Sequence, residues 1–161
     1  MPKVIMTCGR ICSGKSTYAQ KLKKELNGVV LSIDELMLDI LGSGTGAMHD
    51  EYVRRTENYL YKKSTEIVSA GTNVILDWGF WKKEQRCFAR SFYAERGIGC
   101  ELHYITVSDD EWQRRIEKRN AEVAAGRSDA YFIDEGLAEK FRLLFEPPEN
   151  GEADLTIYTD K

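Results

Sequence analysis

Short apolar runs alternate with longer amphipathic segments along the chain. Five apolar runs bounded by polar residues or glycine predict β-strands at residues 3–8, 29–33, 73–77, 100–107 and 154–158. Apolar residues at helical spacing predict helices between them, at residues 14–26, 50–70, 81–96, 109–125 and 134–145. Because parallel strands need crossover connections of this length, the alternation predicts an α/β fold with a parallel sheet and helices on both faces.

Composition places the chain among ordinary globular proteins. Of its 161 residues, 42% are hydrophobic and 30% are charged, and no Pro- or Ser-rich stretch marks a linker. We therefore expect a single domain over residues 1–161. The first apolar run is far too short for a signal peptide or a membrane span, so we expect a cytoplasmic protein without a membrane partner.

Charge and cysteine usage restrict the possible partners. A net charge of −3 makes the chain as a whole a poor match for a nucleic-acid backbone, and only a local basic patch would favour one. The four cysteines lack paired CxxC spacing, so we expect neither a zinc site nor a disulfide framework. Both a monomer and a small homo-oligomer are compatible with the sequence.

A phosphate-binding motif follows the first predicted strand and opens the first predicted helix. The segment 9–16 matches G-x-x-x-x-G-K-[ST] in full, and it consists of Gly9, Arg10, Ile11, Cys12, Ser13, Gly14, Lys15 and Ser16. Its backbone N–H groups and the helix N-terminus would hold a β-phosphate. Lys15 would bridge the β- and γ-phosphates, the Ser16 hydroxyl would bind Mg²⁺, and Thr17 would lie near the α-phosphate. A glycine-containing turn with an incidental lysine is a much weaker interpretation.

A carboxylate ends the third predicted strand. Asp77 follows the apolar residues 73–76, which is the pattern of an aspartate that orients Mg²⁺ through a water molecule. Helix capping is the simpler alternative. The next residue is Trp78 rather than glutamate, which argues against an ATPase motor. Because no N-K-x-D tetrapeptide occurs, we expect ATP rather than GTP.

Asp34 is the candidate general base. It follows the second predicted strand, whose carboxyl end should face the γ-phosphate, and its carboxylate could accept the proton of an attacking hydroxyl. The neighbouring Ser32 and Glu35 form an S-x-x-E capping box, which is an alternative reason for acidic residues here and is compatible with the first. Residues 41–47, with three alternating glycines, suggest a flexible loop that covers an acceptor pocket.

Arginines in a predicted lid, at about residues 110–133, are candidates for stabilising transferred charge. Arg115 and Arg119 lie four residues apart on one helical face, although a solvated charged face would produce the same pattern. Arg127 is the alternative lid arginine. Of the three aromatic residues that follow the metal strand, we expect Phe80 in the core, while Trp78 could belong either to the core or to an acceptor site.

Four segments together resemble the small P-loop kinases of the AAA-domain type: GRICSGKST, SIDE after the second strand, VILDWGFW and RIEKRN. The plan is similar to that of chloramphenicol phosphotransferase, zeta toxin and the polynucleotide kinase domain. The resemblance implies a P-loop NTPase fold with a five-stranded parallel sheet, bound Mg²⁺ and ATP, and Asp34 as the acceptor-activating residue. The acceptor-recognition signatures of the antibiotic kinase and the toxin have no counterpart here.

The sequence therefore favours an ATP-dependent phosphotransferase that moves the γ-phosphoryl group to a hydroxyl of a small molecule or nucleotide. An ATP-binding switch or weak NTPase acting through a protein partner is one alternative, and a nucleic-acid 5′-end kinase is another. The candidate catalytic residues are Lys15, Asp34, Arg115 and Arg119. The candidate metal ligands are Ser16 and Asp77, and the candidate nucleotide-binding residues are Gly9, Arg10, Ile11, Cys12, Ser13, Gly14, Lys15, Ser16, Thr17 and Arg127.

Overall fold

The computed structural model describes residues 1–42, 44–128 and 130–160. The strands are β1 (Val4–Cys8), β2 (Val29–Leu31), β3 (Val74–Gly79), β4 (Cys100–Thr106) and β5 (Leu155–Tyr158). The helices are α1 (Lys15–Glu25), α2 (Ile33–Leu41), α3 (His49–Ser69), α4 (Lys83–Ala94), α5 (Asp109–Ala124) and α6 (Glu135–Leu144), and a 3₁₀ turn spans Gly46–Met48. No helix in these described ranges has the length and apolar content required to cross a bilayer.

The five strands form one parallel sheet in the order β2-β3-β1-β4-β5. Alternate residues of the central strands point to opposite faces. Val4 and Met6 pack in a cluster with Tyr61 of α3 and Tyr93 of α4, whereas Ile5 packs against α1. The prediction of an α/β fold with helices on both faces of a five-stranded parallel sheet is therefore confirmed.

The chain reverses its direction of travel across the sheet at β1, which lies between β3 and β4. In open α/β sheets a crevice forms beyond the carboxyl ends of the strands at such a point. The pairing of β1 with β3 shifts register between Met6 and Cys8, and Cys8 then lies opposite Gly79. The loops that leave these two strands consequently lie side by side, and they contain the predicted phosphate and metal residues.

Two predicted strand boundaries were wrong, and one helix was missed. The second strand stops at Leu31, because the Ser32 hydroxyl accepts a hydrogen bond from the Glu35 N–H at 3.2 Å and starts α2. The capping box was recognisable in the sequence, but α2 was not predicted. The third strand continues past Asp77 to Gly79, so Asp77 lies within the strand rather than at its end.

The predicted loop at residues 41–47 is only partly described. Leu41 is the last residue of α2 and Gly46 begins the 3₁₀ turn, while Ser43 lies outside the described residues. A covering role for this segment stays a prediction.

Candidate active site

The predicted phosphate loop, residues 9–16, connects β1 to α1. Cys12 (φ 60°) and Gly14 (φ 99°) both adopt left-handed backbone conformations, which turn the chain tightly at the start of the helix. Among the hydrogen bonds of the described residues, none is donated by the backbone N–H groups of Gly14, Lys15 or Ser16. Free N–H groups at a helix N-terminus form a ready binding site for an anion.

The carbonyl oxygens of the loop are bound by side chains from distant parts of the chain. Trp81 Nε1 donates to the Gly9 carbonyl at 3.1 Å, and Trp112 Nε1 donates to the Ile11 carbonyl at 2.7 Å. These bonds fix the orientation of the peptide groups. Neither tryptophan is recognisable from the sequence as a support of the loop, because they lie 72 and 101 positions from their partners.

Arg115 also binds the loop from behind. Its Nη1 donates to the Ser13 carbonyl at 3.1 Å and to Thr159 Oγ1 at 3.0 Å, its Nη2 donates to the Thr159 carbonyl, and its Nε donates to Glu111 at 3.1 Å. Thr159 Oγ1 in turn donates to the Ser13 carbonyl at 2.7 Å. Arg115 was predicted as a lid arginine over the phosphates, but its contacts place it beneath the loop, where it positions the backbone.

Lys15 and Arg10 have different surroundings. The Lys15 ammonium donates to the Arg10 carbonyl at 2.8 Å, and burial lowers the pKa of Lys15 while the nearby Asp77 opposes that shift. The Arg10 guanidinium points away, bonds Asp109 at 2.8 Å and stacks over Trp112 at 4.4 Å. Arg10 therefore presents its backbone, rather than its charge, to the loop.

Ser16 and Asp77 lie in contact at the start of α1. Ser16 Oγ donates to Asp77 Oδ2 at 2.7 Å, and the buried Thr7 hydroxyl lies 3.4 Å from Asp77 Oδ1. A hydroxyl and a carboxylate oxygen fit Mg²⁺, which is usually held by one or two protein oxygens together with waters and substrate phosphates. Thr7 had no motif to mark it in the sequence.

A cavity of about 510 Å³, which we name the phosphate cavity, lies over the loop. It brings together many of the predicted residues: Ile11, Cys12, Gly14, Lys15, Ser16, Thr17, Asp34, Asp77 and Arg119. The lining has five further residues. Ser32, Gly79, Trp81 and Tyr131 were not among the candidate site residues, and Trp78 had been left open between the core and an acceptor site. The lining leaves out the predicted residues Gly9, Arg10, Ser13, Arg115 and Arg127.

Arg119 is the arginine that reaches the phosphate cavity. Its Nε is buried and has no hydrogen-bond partner among the described residues, and its guanidinium lies 5.0 Å from the centre of the Tyr131 ring. Burial raises the pKa of Tyr131, and the Arg119 charge opposes that shift. Arg127, by contrast, is exposed just beyond α5. An unpaired buried donor beside an anion-binding loop is suited to neutralise charge there.

The segment that carries Tyr131 is fixed to α5 by one asparagine. Asn120 Nδ2 donates to the Ile133 carbonyl at 2.6 Å, and the Ile133 N–H donates to Asn120 Oδ1 at 2.8 Å. This pair of bonds holds the returning chain against the helix. Tyr131, two residues before Ile133, lines the phosphate cavity.

Two smaller cavities share lining residues with the phosphate cavity. The first, which we name the side cavity, measures about 250 Å³ and shares Asp34, Asp77, Trp78 and Trp81 with the phosphate cavity. The second, the aromatic pocket, measures about 230 Å³ and shares Glu57, Trp78 and Gln85 with the side cavity. Trp78 therefore lines all three, and its Nε1 donates to the Leu31 carbonyl at 3.0 Å. Phe80 is buried, as predicted.

Known proteins with a similar sequence pattern or a similar fold include P-loop kinases. Residues 4–148 match the family model described as an AAA domain. A search of curated protein sequences gives no match. A proposed kinase from Chloroflexus aurantiacus superimposes with a TM-score of 0.73 at 20% identity, over 99% of this chain and 89% of the other.

Two further solved structures have the same fold. The Mycobacterium tuberculosis APS kinase CysC, in complex with AMPPNP and APS, gives a TM-score of 0.67 at 23% identity, over 99% of this chain and 90% of the other. Chaetomium thermophilum Kti12, in complex with ADP-AlF3, gives a TM-score of 0.70 at 17% identity, over 98% of this chain and 88% of the other. The chain therefore belongs to the AAA domain family and has the fold of the small P-loop kinases.

Proposed function

We propose that this protein is an ATP-dependent phosphotransferase that moves the γ-phosphoryl group of ATP to a hydroxyl of a small acceptor. The observation that carries the proposal is the phosphate cavity, in which the loop amides, the Ser16–Asp77 pair and the Asp34 carboxylate line a single space. A donor phosphate and an acceptor hydroxyl can meet there with a base beside them.

The loop holds the donor in this proposal. The N–H groups of Gly14, Lys15 and Ser16 bind the β-phosphate, and Lys15 exchanges its bond to the Arg10 carbonyl for phosphate oxygens. Ser16 and Asp77 would hold Mg²⁺ beside the donor phosphates. When bound, the metal ion supplies positive charge that offsets the charge developing on the phosphate oxygens.

Asp34 serves the acceptor. As the acceptor oxygen forms a bond to the γ-phosphorus, the bond between that phosphorus and the bridging oxygen of ADP breaks, and the hydroxyl proton passes to the Asp34 carboxylate. Asp34 lines both the phosphate cavity and the side cavity, so it adjoins the position of either reactant. Arg119 stabilises the charge on the transferred group.

The ligands bound in two structural neighbours support this use of the fold. The APS kinase structure holds AMPPNP together with APS, which are a nucleotide and a second small molecule, and the Kti12 structure holds ADP-AlF3. The small volumes of the side cavity and the aromatic pocket favour a small acceptor over a nucleic-acid end.

Phosphate transfer tests the proposal. Labelled Mg²⁺-ATP is incubated with nucleosides, oligonucleotides, sugars and aminoglycoside or phenicol antibiotics, alongside a reaction without acceptor. We expect a labelled product from one class of small hydroxyl compound, and none from the Lys15→Ala variant. Tight ATP binding with slow hydrolysis and no labelled product would contradict a kinase and favour a nucleotide-dependent switch.

A further inference from the structure

The side cavity and the aromatic pocket meet at Glu57, Trp78 and Gln85. Because the side cavity also shares Asp34 and Asp77 with the phosphate cavity, a molecule in it would have one end at the candidate base and the other end at Glu57. Each of the two smaller volumes lies below the usual range of drug-sized sites, which is about 300–1,000 Å³. Their size suits an acceptor of about one sugar ring.

Glu57 is a partly buried carboxylate without a partner. Within the described chain it takes part in no hydrogen bond and no ion pair, and burial raises its pKa. The two nearest arginines in the sequence both bond Glu51 instead: Arg54 with two nitrogens, at 2.9 and 2.8 Å, and Arg55 with its Nε at 2.7 Å. Charged side chains are seldom withdrawn from water unless they are paired, so an unpaired one at a cavity marks a candidate ligand-binding group.

The charges that line the side cavity and the aromatic pocket restrict the class of acceptor that can bind there. The described lining of the side cavity contains the carboxylates of Asp34, Glu57 and Asp77, against the single cation Lys82. Lys82 Nζ is already 3.2 Å from the Glu146 carboxylate. The aromatic pocket adds Glu84, and no cation occurs among its described lining residues. Like-charge repulsion would disfavour an anionic acceptor in this space.

The other lining groups are suited to a hydroxylated ring. Gln85 uses its Oε1 to accept the Lys82 N–H at 3.2 Å, and its side-chain NH₂ has no partner among the described residues. Trp78 is held in place by its bond to Leu31 and by stacking on Phe80, with ring centres 5.4 Å apart. A flat apolar wall with one acceptor and one donor at its edge is typical of small-molecule sites.

We infer that Glu57 is an acceptor-binding residue, and that the acceptor is an uncharged or cationic polyhydroxyl compound whose hydroxyl or ammonium groups donate to this carboxylate. The inference rests on the proposed function, since it concerns the second substrate of the same reaction. In the proposed reaction Asp34 is the general base and Asp77 belongs to the metal site. Glu57 is therefore the carboxylate of the side cavity that can bind the acceptor.

Steady-state phosphate transfer with charge-matched acceptors tests the inference. The acceptors are a neutral hexose, an aminohexose, an aminoglycoside, a sugar acid and a nucleoside monophosphate. They are compared in the wild type, in Glu57→Gln and in Glu57→Lys. Glu66→Gln is the matched control, because Glu66 is an exposed carboxylate on the same helix that bonds Lys63.

We expect the wild type to prefer a neutral or cationic acceptor. Glu57→Gln should raise KM for that acceptor about 10-fold or more with little change in kcat, since a hydrogen bond to a charged group is lost in both the ground and the transition state. Glu57→Lys should shift the preference towards the sugar acid. Glu66→Gln should behave like the wild type.

The outcomes separate the two claims. Efficient transfer to the sugar acid or the nucleotide, or equal KM values for the wild type and Glu57→Gln, would overturn the inference and leave the kinase proposal standing. ATP binding without transfer to any acceptor would contradict the kinase proposal itself, and the inference would fall with it.

Discussion

Ser16 Oγ donates a hydrogen bond to Asp77 Oδ2 at 2.7 Å, which joins the first turn of α1 to β3 at the floor of the phosphate cavity. The two residues are 61 positions apart in the sequence and meet because β1 pairs with β3. This contact is where the proposal places Mg²⁺.

Asp77→Asn should weaken the response of the protein to magnesium. The amide keeps the volume of the carboxylate but removes its charge, and loss of a group that orients a metal site typically reduces affinity or activity about 10- to 100-fold. The check is a Mg²⁺ titration of phosphate transfer, with ATP binding measured in parallel. A Mg²⁺ requirement identical to that of the wild type would show that Asp77 has no part in the metal site.

Trp112→Phe should reduce both stability and ATP affinity. The variant leaves the Ile11 carbonyl without its 2.7 Å bond, at a cost of about 1–3 kcal/mol, and frees a loop peptide to rotate. The matched control is Tyr93→Phe, whose lost 2.7 Å contact is with the Ser64 hydroxyl in the core rather than with the loop. Chemical denaturation and nucleotide titration of both variants provide the comparison. We expect both to lose stability and only Trp112→Phe to lose ATP affinity; equal ATP affinities would refute a loop-supporting role for Trp112.

Gly79→Ala should disturb the phosphate loop through Trp81. Gly79 has φ +89°, and a Cβ there would lie 2.9 Å from the Trp81 Nε1 atom that binds the Gly9 carbonyl. The control is Gly97→Ala at φ +65°, where a Cβ would meet no atom within 4 Å, so only backbone strain of about 1–2 kcal/mol is expected. Chemical denaturation should show a larger loss of stability for Gly79→Ala than for Gly97→Ala, and only Gly79→Ala should bind ATP more weakly. The same modest loss in both variants would mean that Trp81 moves aside without consequence.

Glu57→Gln should stabilise the protein at neutral pH. Because burial raises the pKa of Glu57, the folded state binds a proton more tightly than the unfolded state does, and the native protein loses stability as pH rises through the folded pKa. The Glu57→Gln variant has no charge at this position, so it does not lose stability in this way as the pH rises. The gain should stay below about 1 kcal/mol, since the side chain is partly exposed and solvent screens it.

The pH dependence distinguishes this cause from better packing. The stability difference between Glu57→Gln and the wild type should shrink as pH falls below the raised pKa, because the wild-type carboxyl is then neutral too. Thermal unfolding at several pH values measures it. A difference that does not change with pH would show that charge burial is not its source.

Local patterns were enough to predict most of the architecture. The five strands are short apolar runs, and the phosphate loop is a contiguous motif, so neither depends on distant residues for recognition. Helix α2 was missed because it starts directly at the end of β2, with Ser32 as the only residue between them. Its capping motif is visible in the sequence, but Ile33 belongs to the predicted strand, Leu41 belongs to the predicted loop, and no element is predicted for the residues between them.

The side chains that bind the carbonyl oxygens of the phosphate loop are brought there by tertiary packing. Trp81, Trp112 and Thr159 bind loop carbonyls 72, 101 and 146 positions away, and nothing in their local sequence indicates these partners. The two arginines of α5 also depend on packing. Helical spacing predicts Arg115 and Arg119 on one face, whereas the packing of α5 places Arg115 beneath the loop and Arg119 in the phosphate cavity.

Asp34→Asn tests the central claim most directly. The variant keeps the size and the helix-start position of the side chain but removes its capacity to take a proton. With an acceptor identified, kcat for phosphate transfer and the Kd for Mg²⁺-ATP are measured for this variant and the wild type. A general base contributes about 10²–10⁴-fold, so we expect kcat to fall by that order while the Kd for ATP stays unchanged. Undiminished transfer would contradict Asp34 as the base and the proposed mechanism with it.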